Sequence, residues 1–72
     1  MERERYKVSI DIGGTFTDVV AIRQSDGLIQ VLKVSSTPND PSRAFLQGIR
    51  ELSVRLGILP SDISCLIHGS TV

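Results

Sequence analysis

Residues 11–18, with the sequence DIGGTFTD, combine the side chains and the backbone freedom that phosphate binding requires. The adjacent glycines Gly13 and Gly14 allow the backbone to adopt positive φ and to bring its N–H groups close to an anion, with no Cβ in the way. Thr15 and Thr17 add hydroxyl donors to the same stretch. The sequence therefore predicts a phosphate-binding loop built from these four residues.

Two aspartates flank this loop. Asp11 lies at the end of the strand predicted before the loop, and Asp18 lies at the start of the strand predicted after it. Carboxylate oxygens bind Mg²⁺ directly or through its waters and can hold the ion against nucleotide phosphates. We therefore expect Asp11 and Asp18 to form a Mg²⁺ site beside the loop. The alternative is that Gly13-Gly14 is only a tight hairpin turn with solvated aspartates next to it.

Two better-known phosphate loops do not fit these residues. The dinucleotide fingerprint and the Walker loop both need a glycine turn that opens a helix. The residues after the glycines, 17–23, are instead rich in β-branched side chains, which favour a strand. Neither G-x-G-x-x-G nor Gly-Lys-Ser/Thr occurs in the chain.

Three strands are predicted to position the loop. Residues 7–12 alternate between apolar and polar, which is the period of a half-buried strand. The glycines join this strand to the β-branched run 17–23, and a turn signal at 25–27 leads into a third apolar run at 28–34. This order predicts an antiparallel meander.

A helix and a fourth strand follow. Asp40 is suited to capping the helix, Pro41 to its first position and Gly57 to its end. Residues 63–68 form a second apolar run, and a strand after a crossover helix normally lies parallel in the same sheet. The prediction is an α/β fold in the order β-β-β-α-β. The helix face expected to pack on the sheet contains Phe45, Gly48, Ile49, Leu52 and Leu56.

Two further side chains have possible roles in chemistry. His68 ends the predicted fourth strand, where it could contact substrate or phosphate as a catalytic group, or simply bond to backbone. Cys65 lies in an apolar run, and we expect it to be a small buried hydrophobe. As a lone cysteine it cannot form an internal disulfide, and no zinc-ligand spacing is present, so a reducing cytoplasm is expected.

Composition limits the classes of partner. The 72 residues are 40% hydrophobic and 22% charged, with eight basic and eight acidic side chains and a formal net charge of zero. This balance gives no reason to expect nucleic acid or an anionic membrane as partner. No stretch approaches the roughly 20 apolar residues of a membrane-spanning helix. Residues 1–6 alternate in charge and are expected to be a disordered, solvated leader.

Three segments resemble one protein family. Residues 11–20, DIGGTFTDVV, closely resemble the first motif of the hydantoinase A/5-oxoprolinase family. Residues 33–41, KVSSTPNDP, resemble its Lys-x-x-Ser-Thr-Pro-x-Asp-Pro stretch, and residues 68–72, HGSTV, resemble its His-Gly-Thr-Thr-Val motif with Ser70 in place of a threonine. Sugar kinases and Hsp70-type proteins share the Asp-x-Gly-Gly-Thr core, but the following Phe-Thr-Asp is typical of the hydantoinase branch.

The resemblance implies an actin-like (ribonuclease H-like) ATPase fold with ATP and Mg²⁺ as cofactors. Residues 7–72 would form the incomplete N-terminal part of its N-terminal domain, because members of the family continue well beyond this point. By motif position Asp11 would bind the metal, Asp18 would support the metal or the loop, and the glycines and threonines would contact the ATP phosphates. A hydantoinase B-type subunit or domain is the implied protein partner.

The implied reaction is ATP-dependent hydrolysis of a cyclic amide such as 5-oxoproline or N-methylhydantoin. ATP would phosphorylate an amide or carbonyl oxygen of the substrate and so open it to attack. Two alternatives stay open: part of an ATP-dependent ketone carboxylase subunit acting on acetone or acetophenone, or an inactive truncated product or interaction module. On either enzyme reading, the 72 residues alone are expected to be inactive.

Overall fold

The computed structural model describes residues 3–36 and 39–70, where a four-stranded sheet packs against one helix. The predicted order β-β-β-α-β is confirmed, and the strand boundaries differ from the predicted ones by at most two residues. The elements are β1 (Tyr6–Ile12), β2 (Phe16–Arg23), β3 (Ile29–Ser35), α1 (Pro41–Leu56), a short 3-10 turn (Pro60–Asp62) and β4 (Ile63–Ser70).

The sheet has the strand order β3-β2-β1-β4. Strand β1 pairs antiparallel with β2, and β2 pairs antiparallel with β3, which confirms the meander. Strand β4 returns parallel to β1, as predicted for a strand that follows a crossover helix. Strands β1 and β2 each have a neighbour on both sides, so the hairpin that joins them lies in the middle of the sheet.

The alternation of side chains along the strands builds the core on one face of the sheet. Side chains two residues apart point to the same face, and helix α1 covers the face that holds the apolar ones. The buried cluster consists of Val8, Ile10, Ile12, Val19, Ala21, Leu32, Ala44, Leu52 and Ile58.

Both predicted ends of helix α1 are confirmed. The Asp40 side chain accepts a hydrogen bond from the backbone N–H of Arg43 at 3.2 Å, and Pro41 occupies the first turn. Gly57 takes a left-handed φ of 70°, and its N–H donates to the carbonyl of Ser53 at 3.1 Å. A residue with a Cβ would be strained at this φ, so the left-handed backbone conformation that ends the helix favours glycine.

The buried face of α1 is centred differently from the prediction. Ala44, Gly48 and Leu52 are its buried residues, whereas Phe45 and Ile49 pack beside them and are only partly buried. A Cβ added at Gly48 would lie 3.2 Å from a side-chain carbon of Val19, so the helix approaches the sheet closely there. Small residues permit that approach, and a count of large apolar residues therefore overlooked Ala44.

The prediction that Cys65 is buried is wrong, because Cys65 is exposed. It lies on β4, an edge strand, and points to the sheet face away from α1, which no described element covers. The same open face carries Phe16, Ile22, Ile29, Val31 and Ile67, all exposed.

Among the described residues, no helix has the length and apolar character needed to cross a membrane.

We expect Leu52→Ala to lower the free energy of unfolding by about 2–5 kcal/mol, because it removes a fully buried side chain and leaves a cavity. Val54→Ala is the matched control on the same helix, since Val54 is 70% exposed, and it should change stability by less than about 0.5 kcal/mol. Urea denaturation measures both. Equal losses in the two variants would contradict the packing of α1 described here.

Candidate functional site

The parallel pairing of β1 with β4 brings together two motifs from opposite ends of the chain. In the register of these strands, Ile10 lies beside His68 and Asp11 lies beside Gly69. The carboxyl ends of both strands therefore meet at one edge of the sheet, and the glycine loop follows directly from β1. The motif-based predictions for Thr37, Pro38, Thr71, Val72 and the side chain of Ser70 fall outside the described part of the structure.

Asp11 and Asp18 are direct cross-strand partners in the β1–β2 pair. Both point to the face away from α1, and both reach solvent, the Asp18 side chain being 48% exposed. Opposite positions in an antiparallel pair place their Cβ atoms about 4.5–5.5 Å apart, where like charges repel. A bound cation would remove this repulsion. The structure thus brings the two predicted metal-binding carboxylates together.

Lys33 is a third charged member of this cluster that the sequence analysis did not predict. It lies opposite Asp18 on β3, with its Nζ 3.7 Å from Asp18 Oδ1 and 5.3 Å from the centroid of the Phe16 ring. It compensates part of the charge on Asp18. Asp11, by contrast, makes no ion pair within residues 3–36 and 39–70. The signal that would have found Lys33 is its place between the buried Leu32 and Val34, which puts it on the face away from the core.

The loop between β1 and β2 is a tight hairpin. The N–H of Gly13 donates to the carbonyl of Phe16 at 3.0 Å, and the N–H of Ser36 donates to the carbonyl of Thr15 at 2.9 Å. The expectation of positive φ at Gly13 and Gly14 is wrong, since the described residues with positive φ are Gly27 and Gly57. The first of these bonds closes the β1–β2 hairpin, and the second joins the hairpin to the residue that follows β3.

The tip of the hairpin offers open space and backbone donors. Gly14 and Thr15 are exposed, and a Cβ built on Gly14 meets no atom within 4 Å. Among the described residues, nothing accepts a hydrogen bond from the N–H of Gly14 or Thr15. An anion could therefore approach the backbone here without displacing a protein contact.

The two predicted threonines lie in different environments. Thr15 is exposed at the hairpin tip, whereas Thr17 is fully buried on the face that packs against α1. The Thr17 hydroxyl lies 2.9 Å from the Ser36 hydroxyl and shares a hydrogen bond with it. The structure therefore does not bring Thr17 together with Asp11 and Asp18, which point to the opposite face.

His68 is also separated from the carboxylates. Its ring lies on the helix side of the sheet, with its centroid 4.9 Å from that of Phe45 and the planes tilted by 55°. It is exposed, so it remains accessible from that side. The candidate catalytic role of His68 stays a prediction, and the contact with Phe45 gives this side chain a packing role as well.

The carboxylates of Asp11 and Asp18 are donors of the kind that Mg²⁺ prefers. No group of three or more His, Cys, Asp or Glu side chains that could hold a metal occurs among the described residues. Mg²⁺ is bound in nucleotide sites by one or two carboxylates, the remainder of its shell being water and phosphate oxygens. The pair Asp11 and Asp18 beside an open hairpin tip fits that requirement.

A second polar network fixes the start of β4. Arg3 forms a two-point ion pair with Asp62, at 2.7 Å to Oδ1 and 2.9 Å to Oδ2, and the N–H of Leu59 donates to Asp62 Oδ2 at 2.9 Å. The hydrogen bond from Arg3 lowers the pKa of Asp62 and raises that of Arg3. Asp62 directly precedes β4, so this network anchors the strand that carries Gly69. The alternation of charges at the start of the sequence gave no sign of this contact.

Comparison of the sequence with known families assigns the chain to one of them. The family model for the hydantoinase/oxoprolinase N-terminal region matches residues 7–72, and the chain belongs to that family. This confirms the resemblance drawn from the three sequence segments.

Two curated relatives are similar to the chain. Caprolactamase subunit alpha of Pseudomonas jessenii is 36% identical over 76 residues, an alignment that covers 100% of this chain and 11% of the relative. An uncharacterized protein of Methanocaldococcus jannaschii is 36% identical over 67 residues, covering 93% of this chain and 9% of that protein. The chain therefore spans about a tenth of the length of these relatives.

We expect the Arg3–Asp62 pair to make stability depend on pH in the acid range. The folded-state pKa of Asp62 lies below its ordinary value of 3.8, so the pair stabilises the protein above about pH 4. That contribution is lost as the pH falls through the folded-state pKa. Asp62→Asn should therefore lower stability at pH 7 and flatten the decline below pH 4, measured by urea denaturation across pH.

The control for this prediction is Asp26→Asn. Arg23 lowers the pKa of Asp26 to about 2, but the Asp26 side chain is 52% exposed, whereas that of Asp62 is 4% exposed. At 1 M salt the Debye length is about 3 Å, which screens exposed pairs most strongly. The effect of Asp26→Asn should disappear at high salt while most of the effect of Asp62→Asn remains. Equal salt sensitivity would show that the Asp62 pair is not shielded from solvent.

We expect Thr17→Val to lower the free energy of unfolding by about 0.5–1.5 kcal/mol, because it deletes a buried hydrogen bond and leaves the Ser36 hydroxyl without this partner. Thr15→Val, at the exposed tip, should stay within about 0.5 kcal/mol of the parent. Chemical denaturation compares the two. Unchanged stability of Thr17→Val together with weaker nucleotide binding would instead support the ligand role that the sequence predicted for Thr17.

Proposed function

We propose that this chain provides the first phosphate and Mg²⁺ site of an ATP-dependent cyclic amide hydrolase. The observation that carries the proposal is the cross-strand pair Asp11 and Asp18 beside an exposed hairpin tip, where the N–H groups of Gly14 and Thr15 have no acceptor among the described residues. In this assignment Asp11 is the principal metal-binding carboxylate. Asp18, already compensated by Lys33, supports it. Gly13, Gly14 and Thr15 contact the phosphates.

The shape of the tip supports this division of roles. A phosphate group needs several N–H donors within reach and no side chain that would hold it at a distance. Gly14 leaves that space open, and Thr15 adds a hydroxyl beside its own N–H. Mg²⁺ bound by the neighbouring carboxylates would offset the negative charge that the phosphates bring.

The proposed chemistry is activation of an unreactive amide. Transfer of a phosphoryl group from ATP to the amide oxygen releases ADP and makes the amide carbon electrophilic. Water adds to that carbon, and the ring C–N bond breaks with the nitrogen leaving as an amine. A second water hydrolyses the resulting acyl phosphate to a carboxylate and free phosphate. The name of the Pseudomonas relative refers to a lactam, which is a cyclic amide, and this favours amide hydrolysis over the carboxylation of ketones. The same name describes a subunit, and we propose that this chain likewise works with a second subunit, of the hydantoinase B type.

The rest of the active site would come from elements outside these 72 residues. We propose that the described sheet begins an actin-like ATPase domain, in which the open face seen here receives further structure. The substrate-binding groups and the general base are then supplied elsewhere in the complete protein. This division agrees with the small share of the relatives' length that the chain spans.

The test uses the complete native protein with any subunit that copurifies. It should hydrolyse at least one of caprolactam, 5-oxoproline and N-methylhydantoin in a reaction that requires ATP and Mg²⁺ and releases phosphate. Asp11→Asn should weaken binding of Mg²⁺ with a non-hydrolysable ATP analogue by about tenfold or more, and lower turnover on the order of 100-fold. Calorimetry and product analysis measure the two effects.

The matched control is Asp26→Asn, which removes a carboxylate at the other end of the sheet, in the turn between β2 and β3. It should leave nucleotide affinity and turnover at the parent level. If Asp11→Asn retains parental affinity and turnover, the assignment of the metal site is wrong. If the complete protein neither binds ATP nor hydrolyses any of these amides, the chain is an interaction module or an inactive product instead.

A further inference from the structure

Gly69 lies within a strand, one residue before its carboxyl end, and glycine is normally unfavourable in strands. It belongs to β4 and sits directly beside Asp11 of β1 in the parallel register. Glycine in a strand lacks a side chain to pack and loses more conformational freedom on folding than other residues. A strand glycine therefore often marks a place where something else comes close to the backbone.

The fold gives structural reasons for three other glycines. Gly27 and Gly57 have left-handed φ values of 76° and 70°, which other residues adopt only under strain. Gly48 lies where α1 approaches the sheet closely, so that an added Cβ would be 3.2 Å from a side-chain carbon of Val19. Gly14 and Gly69 have neither reason, since their φ values are not positive and an added Cβ would meet no crowded contact. Gly69 lies beside Asp11, and Gly14 lies in the hairpin two residues after the end of β1.

The surroundings of Gly69 identify what its missing side chain leaves open. A Cβ built there would have one neighbour within 4 Å, the Oδ1 atom of Asp11, at 3.7 Å. This is an ordinary van der Waals distance, so the protein itself would tolerate a methyl group. That methyl group would nevertheless stand against the carboxylate on the exposed side of the sheet and exclude water or a cation from that position.

We infer that Gly69 is a positioning residue that keeps the space beside the Asp11 carboxylate open for Mg²⁺ and its phosphate ligand. The inference rests on the proposed function of Asp11. It makes β4, and not only the hairpin loop, a part of the ligand site. Together Gly14 and Gly69 mark two sides of the volume that the ligand occupies. Any larger residue at position 69 would compete with the ion for one oxygen of Asp11.

The test is Gly69→Ala in the complete native protein. We expect binding of Mg²⁺ with a non-hydrolysable ATP analogue, measured by calorimetry, to weaken by about tenfold, because the methyl group hinders one carboxylate oxygen. The Tm should be unchanged or slightly higher, since alanine has less freedom to lose than glycine on folding. Cys65→Val is the matched control, because it adds bulk on the same strand and face beside Lys7, and it should not alter affinity.

A double-mutant cycle with Asp11→Ala supplies the readout that a merely structural role would not give. If Gly69→Ala acts through the carboxylate, it should cause no further loss of affinity once Asp11 has been truncated. Full additivity of the two losses would overturn the inference. Parental affinity of Gly69→Ala would also overturn it. A lower Tm of Gly69→Ala would do the same, because it would show that the glycine is needed for the stability of the fold.

The failure of this inference is distinguishable from failure of the proposed function. Asp11→Ala with weakened binding and Gly69→Ala with normal binding would reject only the role of Gly69. Parental binding in Asp11→Ala would reject the metal site itself, and with it the role of Gly69.

Discussion

The candidate site depends on the pairing of β1 with a different strand on each side. Its antiparallel partner β2 sets Asp18 opposite Asp11, and its parallel partner β4 sets Gly69 beside the same residue. Side chains alternate between faces, so a slip of one residue in the β1–β2 pairing would put Asp11 and Asp18 on opposite faces, and a slip in the β1–β4 pairing would move Gly69 away from Asp11. The buried residues Val8 and Ile10 resist that slip, because it would expose them to solvent.

The remainder of the structure holds this register in place. Helix α1 covers the apolar face and fits closely because Ala44 and Gly48 lie at the centre of its contact. The helix begins after the N-cap residue Asp40 and ends at the C-cap residue Gly57. Beyond it, Asp62 connects the turn before β4 to Arg3 at the start of the chain. Strands β1 and β4 are therefore tied together at the end of the sheet remote from the candidate site.

Local patterns in the sequence were sufficient for most of the fold. Alternation, β-branched runs and the capping residues predicted four strands and one helix in the observed order, because each of these signals acts within a few residues. The features that were missed depend on contacts distant in sequence. Lys33 reaches Asp18 only through the β2–β3 register, and Arg3 meets Asp62 only after the whole sheet has formed. The prediction that Cys65 is buried was wrong for the same reason, since an apolar run does not reveal that its strand lies at the edge of the sheet.

The parallel pairing of β1 and β4 also has a consequence for the order of folding. Strands β1, β2 and β3 are joined by short turns, so their pairing closes small loops and costs little chain entropy. Strand β4 must return across the whole helix before it can reach β1, and contacts of such long separation form slowly. We therefore expect the two carboxylates to meet early, as part of the meander, and the neighbourhood of Gly69 to assemble last. During synthesis the chain would present a charged hairpin first and acquire the second wall of its ligand volume only when β4 docks.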